Sequence, residues 1–184
     1  MPSKNVIKKF EIGATFHAFN RGVEKRQIFF DNQDYFVFLN LLKRYLDPNI
    51  DKKNEFLLSS KPLVQLYNEV ELHAFCLMPN HYHLLLTQNT INGMTKLLRR
   101  VATSYTCYFN KKYDRVGALY QGTYKASRIY SERRFEKIME YIHYKNPQDL
   151  GVEPEKYQFS SLKREYGWVR PRARSDPARD PTLD

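Results

Sequence analysis

The chain has 184 residues, 42% hydrophobic and 15% aromatic, which is enough apolar material for a packed core and excludes wholesale disorder. Thirty Lys and Arg against twenty Asp and Glu leave a formal net charge of +10, favouring a polyanionic partner, nucleic acid before an acidic membrane surface. Two cysteines are too few for a disulfide framework or a cysteine-built zinc site, and no apolar run approaches the roughly 18 residues that span a bilayer.

Residues 14–19, ATFHAF, predict a first strand, and Asn20-Arg21-Gly22 after them is a turn signal. Phe36, Leu39, Leu42 and Tyr45 recur at helical spacing and predict a helix over 32–46, with Asp31 or Asn32 as its cap and Pro48 as its stop. Residues 49–62 read as a polar excursion with a short apolar patch around Phe56–Leu58. Two strand-like runs, 69–78 and 81–87, meet at Pro79-Asn80 as a tight hairpin. Met94, Leu97, Leu98, Val101, Tyr105, Tyr108 and Phe109 trace a long amphipathic helix over 92–112. Gly117 and Gly122 bracket a loop, 123–130 is a fourth strand, and Phe135, Ile138, Met139 and Ile142 mark a last helix over 132–146, closed by Pro147. The order is a split β-α-β plan of the α+β class, a small antiparallel sheet with helices packed on one face. A single domain is expected over 1–168, and the Pro- and Arg-rich 169–184 is expected to be a disordered tail. The amino-terminal MPSKNVIKKFEIG has no apolar h-region, so a cytoplasmic protein is expected.

The charge is concentrated. Residues 91–130 hold eight cations (Lys96, Arg99, Arg100, Lys111, Lys112, Arg115, Lys125 and Arg128) against Asp114 alone, a local excess of +7. Seven aromatic residues from Tyr105 to Tyr130 are interleaved with them. Cations for phosphates and rings on which unpaired bases stack are what a single-strand binder needs, although a helix with a solvated basic face and an aromatic core stripe has the same pattern.

His81-Tyr82-His83 is the sharpest chemical feature. On a strand, side chains two apart share a face, so both imidazoles project together while Tyr82 points away. Two such imidazoles lack one further ligand for a metal site. A zinc hydrolase reading lacks a Glu beside either histidine to act as base. On the last helix, a tyrosine hydroxyl can attack a phosphate but, with an ordinary pKa near 10, needs a metal or neighbouring cation. His73 and His143 read as structural, and Cys76 and Cys107 as small core residues.

Five blocks follow one another in order: Phe16-His17-Ala18-Phe19-Asn20-Arg21-Gly22, Met78-Pro79-Asn80-His81-Tyr82-His83, Gly117-Ala118-Leu119-Tyr120-Gln121-Gly122, Tyr141-Ile142-His143 with Asn146-Pro147, and Phe159-Ser160-Ser161. Over residues 10–166 this series resembles the REP-associated tyrosine transposase-like proteins, within the single-tyrosine HUH transposases. The resemblance implies a ferredoxin-like HUH nuclease fold and a transposase that cleaves and rejoins single-stranded DNA, at hairpins of a mobile or repeated element. It further implies a divalent metal, Mg2+ or Mn2+, on His81, His83 and Asn146, with Tyr141 as the nucleophile that forms a 5′-phosphotyrosine bond. His17, Arg21, Gln121 and Lys125 become candidate DNA contacts beside Arg99, Arg100, Lys111, Lys112 and Arg115. The protein would act as a monomer or a homodimer, the tyrosine helix serving its own subunit or its partner's.

One spacing departs from the family. The tyrosine there usually precedes the Asn by four residues, whereas Tyr141 and Asn146 are five apart, about 140° around a regular helix. A one-residue bulge would restore the alignment. Alternatively Asn146 lies beyond the regular helix, or Tyr144 serves in place of Tyr141. A catalytically impaired nucleic-acid-binding module of the same fold is the alternative function.

Overall fold

The apolar alternation of the four predicted strands closes one antiparallel sheet in the order β2-β3-β1-β4. The computed structural model describes residues 11–50, 64–162 and 166–170. β1 (Thr15–Arg21) pairs with β3 (His81–Gln88) on one side and β4 (Lys125–Ile129) on the other, and β2 (Val70–Met78) forms the edge beyond β3. Most of the excursion over 49–62, with its Phe56–Leu58 patch, and the tail from 171 lie outside the described residues. Val169 and Arg170, which the sequence assigns to the tail, instead belong to the fold. Val169 is buried, and the Arg170 N–H donates to the Leu72 carbonyl at 2.8 Å, using a hydrogen bond that β2 leaves open at its edge.

α1 (Asn32–Leu46) begins at Asp31, whose carboxylate accepts from the Asp34 N–H while Asp34 accepts back from the Asp31 N–H, a capping box. Its buried residues are Asp34, Tyr35, Phe38, Leu39, Leu41, Leu42 and Leu46, so Leu39 and Leu42 of the predicted stripe are buried and Tyr45 partly so, whereas Phe36 is half exposed, edge-on to Phe159. α2 (Gly93–Lys112) buries the predicted stripe except Tyr108, which is partly exposed. The two helices share an ionic lock. Asp34, fully buried, accepts from Lys112 Nζ and from the Tyr108 and Tyr113 hydroxyls at 2.8–2.9 Å. A buried carboxylate persists only when every lone pair is used in this way.

Strand alternation sorts the sheet into two faces. Tyr82 points into the core, its ring 5.1 Å from Phe38 of α1, and Phe38 lies 5.2 Å from Tyr105 of α2. α1 and α2 therefore cover that face together. The third helix, expected on the same face as the other two, lies instead on the opposite face, which carries His81 and His83. It comprises α3 (Glu132–Glu140), a π-helical segment Tyr141–Lys145 and α4 (Asn146–Asp149). Pro147, expected to end the helix, sits inside its last turn. The missing N–H of a proline costs little where the wider π turn has already displaced the α ladder. Cys107, expected in the core, is exposed, whereas Cys76 is buried.

Candidate active site

The hairpin tip that carries the histidines is clamped from below. The Pro79 carbonyl accepts from the Ile28 and Phe29 N–H groups, and the Asn80 carbonyl accepts from Gly22 N–H at 2.9 Å. Gly22 permits this wrap because a Cβ there would collide with the Arg26 carbonyl oxygen and approach Ile28 within 2.9 Å. The clamp also orients Asn80, whose Nδ2 donates to the Lys25 carbonyl at 3.1 Å. With the amide held that way round, Oδ1 faces His81 Nδ1 at 2.6 Å and only accepts, so His81 carries its proton on Nδ1 and leaves Nε2 bare.

His81 and His83 share a face, their rings 4.9 Å apart and perpendicular. His83 Nδ1 lies 2.9 Å from His17 Nε2 across the β1–β3 pair, the two rings stacked at 5.0 Å. Burial holds all three imidazoles neutral at pH 7. His17 is lowered to about 4, with Arg134 adding to the effect, His81 to about 4 with help from Arg21, and His83 well below its ordinary value. His83 Nε2 is buried with no partner.

Tyr141 stands over this pair, its ring edge-on to His83 at 5.4 Å and to His17 at 6.1 Å. The five-residue spacing has a structural cause. Asn146 N–H donates to the Tyr141 carbonyl, the i→i+5 bond of a π turn, so residues five apart take the relation that residues four apart have on an α-helix. Asn146 is 1% exposed and its Nδ2 has no partner. The π segment is tied down by His143, whose Nε2 lies 2.8 Å from Ser161 Oγ, and Ser161 in turn exchanges bonds with the Phe75 backbone of β2. Tyr144 shares an open groove of about 530 Å3 with Tyr141, lined by Lys137, Glu140, Lys145 and Gln148. Burial raises the pKa of Tyr141, Asp149 and Cys76 add to that, and Lys145 opposes it.

Among the described residues no group of three or more His, Cys, Asp or Glu is gathered as a metal site. The donors present are of another kind, two imidazoles and an amide. His81 presents a bare Nε2 and His83 keeps a buried Nε2 unused, whereas the unused atom of Asn146 is Nδ2, a donor, and its Oδ1 is the atom able to bind a cation. That set fits a divalent cation that accepts mixed nitrogen and oxygen ligands.

The candidate DNA contacts divide between the two faces. Arg21 is directly opposite His81, and Phe19 lies opposite His83 on one side and Lys125 on the other. Arg21, Lys125 and Arg134 are exposed, and no ion pair holds any of them among the described residues. Gln121 is exposed beside them, its N–H bonded to the Arg21 carbonyl. Arg99, Arg100, Lys111 and Lys112 ride on α2, against the other face, and Arg115 follows that helix. Arg99 and Lys111 are exposed, but the rest are engaged. Arg100 donates to the Val64 carbonyl, Arg115 bonds Asn110 Oδ1, and Lys112 pairs with Asp31 and Asp34.

The sequence profile of the IS200-like transposases matches residues 50–145, just over half of the chain. The chain belongs to the IS200-like transposase family. Membership gives the chain its class of activity, transposition of DNA. A solved structure of a REP-associated tyrosine transposase bound to a REP hairpin superposes with a TM-score of 0.64 at 14% identity, covering 95% of this chain and 94% of that one, and so shares the fold. A putative transposase from Deinococcus radiodurans R1 matches at 16% identity and a TM-score of 0.43 over 77% of this chain and 95% of its own. No curated protein matches. No helix among the described residues of this transposase is long and apolar enough to cross a membrane.

Three residues of the site escaped the sequence reading. Asn80 read only as a turn residue, although its place immediately before the histidine pair was the available signal. Phe19 is two residues from His17 and so shares its face. Arg134 lies seven residues before Tyr141, two helical turns along the same side.

Proposed function

We propose that this transposase nicks and rejoins single-stranded DNA through a covalent link to Tyr141, with a divalent metal held by His81 Nε2, His83 Nε2 and the Asn146 amide. The observation that carries the reading is the π turn at Tyr141–Lys145, which turns Tyr141 and Asn146 to one side and sets Tyr141 over His83. When bound, the metal supplies Lewis-acid polarisation of the scissile phosphate. Tyr141 Oη attacks the phosphorus, and its proton passes to solvent. The bond from phosphorus to the 3′ oxygen breaks, and that oxygen takes up a proton to leave as a 3′-hydroxyl. The 5′-phosphotyrosine bond retains the phosphodiester's free energy, so the reverse attack by another 3′-hydroxyl joins a new strand without ATP. Of the metals expected from the family, Mn2+ suits two imidazoles better than Mg2+, which prefers an all-oxygen shell.

Arg21, Lys125 and Arg134 frame the approach to the histidines and hold phosphates there, with Phe19 between them as an apolar floor. Exposed Arg99 and Lys111, on the far side of the sheet, meet DNA outside the cleaved segment. The REP hairpin bound by the structural relative supports a hairpin substrate. The alternative of a binding module without cleavage rests on the five-residue spacing, and the π turn, which aligns Tyr141 with Asn146 despite that spacing, favours the cleaving reading.

Incubating the protein with end-labelled hairpin DNA and Mn2+ is expected to give an adduct that survives SDS, is lost with EDTA and is retained by Tyr144→Phe. An adduct of undiminished yield from Tyr141→Phe contradicts the assignment.

A further inference from the structure

We propose that His17 is a positioning residue that fixes the tautomer of His83, accepting the His83 Nδ1 proton on its own Nε2 so that His83 Nε2 keeps a free lone pair. The inference rests on the metal reading above and adds to it a residue outside the ligand set. Both rings are buried and stacked at 5.0 Å, and the nitrogens that face each other are 2.9 Å apart. Two neutral imidazoles in that geometry share one proton, and where it sits decides the chemistry. If His17 donates, His83 must carry its own proton on Nε2, a buried donor with no acceptor and no capacity to bind a cation. If His83 donates, the partnerless Nε2 becomes a ligand atom.

The neighbouring histidine supplies the precedent inside the same site. Asn80 Oδ1 accepts from His81 Nδ1 and leaves Nε2 bare, so each histidine of the pair has an acceptor on Nδ1. A metal-binding histidine is ordinarily oriented by such a bond on its other nitrogen. His17 performs for His83, from the adjacent strand, what Asn80 performs for His81 from the turn. His17 itself is not a ligand in this arrangement, because its Nε2 is occupied on the Nδ1 side of His83. The other groups around the pair are the rings of Phe19, His81 and Tyr141 and the Arg134 charge, and none of them makes a hydrogen bond to His83 Nε2.

Two measurements decide it. In metal-free protein labelled with 15N-histidine at pH 7.5, long-range 1H–15N correlation spectra are expected to show His83 protonated on Nδ1. Titration with Mn2+ alone, followed by electron paramagnetic resonance, is expected to show affinity falling about 10- to 100-fold in His17→Phe. His17→Gln, whose Oε1 accepts at the same reach, is expected to stay close to the unaltered protein. A His83 protonated on Nε2, or a folded His17→Phe that binds Mn2+ with unchanged affinity, overturns the proposal. If the unaltered protein binds no Mn2+, the metal reading fails, and the tautomer still decides the role of His17. Should His17→Phe fail to fold, the spectrum of the unaltered protein and the Gln variant carry the test.

Discussion

Asn80 and His17 hold the two histidines by hydrogen bonds to Nδ1, and burial holds the rings neutral. The hydrogen bonds come from the turn and the adjacent strand, and the burial from packing the pair beneath a helix rather than leaving it on an open strand. The neutral rings have a cost in stability at low pH. His17, His81 and His143 titrate near 4 in the folded chain, lowered by burial, and burial holds His83 well below its ordinary value, whereas each titrates near 6.5 when unfolded. As pH falls below 6.5 the unfolded chain therefore binds protons that the folded chain does not, and stability declines towards the pH at which the folded rings also protonate. Thermal unfolding monitored by circular dichroism is expected to show a melting temperature that drops steadily from pH 6.5 to pH 4. A melting temperature flat across that window contradicts the neutral, buried assignment.

At the scale of elements, the π segment gives the five-residue spacing the alignment that a four-residue spacing has on an α-helix. It amounts to one extra residue in a helix, so removing one restores an α-helix with the tyrosine and asparagine four apart. Deletion of Tyr144 is therefore expected to keep adduct formation through Tyr141, with activity within about tenfold of the unaltered protein, as a preserved but slightly shifted geometry allows. Loss of the adduct, in a variant that still folds by circular dichroism, means the π turn does more than align. The secondary structure was largely legible from periodicity. The α1 limits, the hairpin at Pro79-Asn80 and the α2 stripe follow from apolar spacing and turn chemistry. What periodicity missed depends on tertiary contact. Pro147 signals a stop by local rules, yet α4 continues because the displaced ladder asks no N–H of it. Val169 and Arg170 lack any pattern of their own, and are placed by the free edge of β2.

For the whole molecule, the +10 charge resolves into cations with different tasks. Local excess along 91–130 suggested one continuous strand-holding surface, but the sequence does not say which face of the sheet a helix takes. Lys112 locks α2 to α1, Lys96 pairs with Glu69, and Arg128 pairs with Glu11. The cations next to the histidines that no ion pair holds among the described residues come instead from three separate elements, Arg21 of β1, Lys125 of β4 and Arg134 of α3. Their convergence is a product of the fold. Fluorescence anisotropy with single-stranded DNA across a salt series is expected to show a slope of log affinity against log salt that falls by about 1.4 in Lys125→Ala with Arg134→Ala, about 0.7 for each phosphate contact. An unchanged slope removes this face from the DNA path.

The most direct test of the account is where the DNA is attached. Cleavage after Lys137 and Lys145 isolates one peptide that holds both Tyr141 and Tyr144. Fragmentation mass spectrometry of that peptide, taken from the Mn2+-dependent adduct of the unaltered protein, is expected to place the nucleotide phosphate on Tyr141. A phosphate on Tyr144, or on no residue of this peptide, contradicts the claim that the π turn builds the active site.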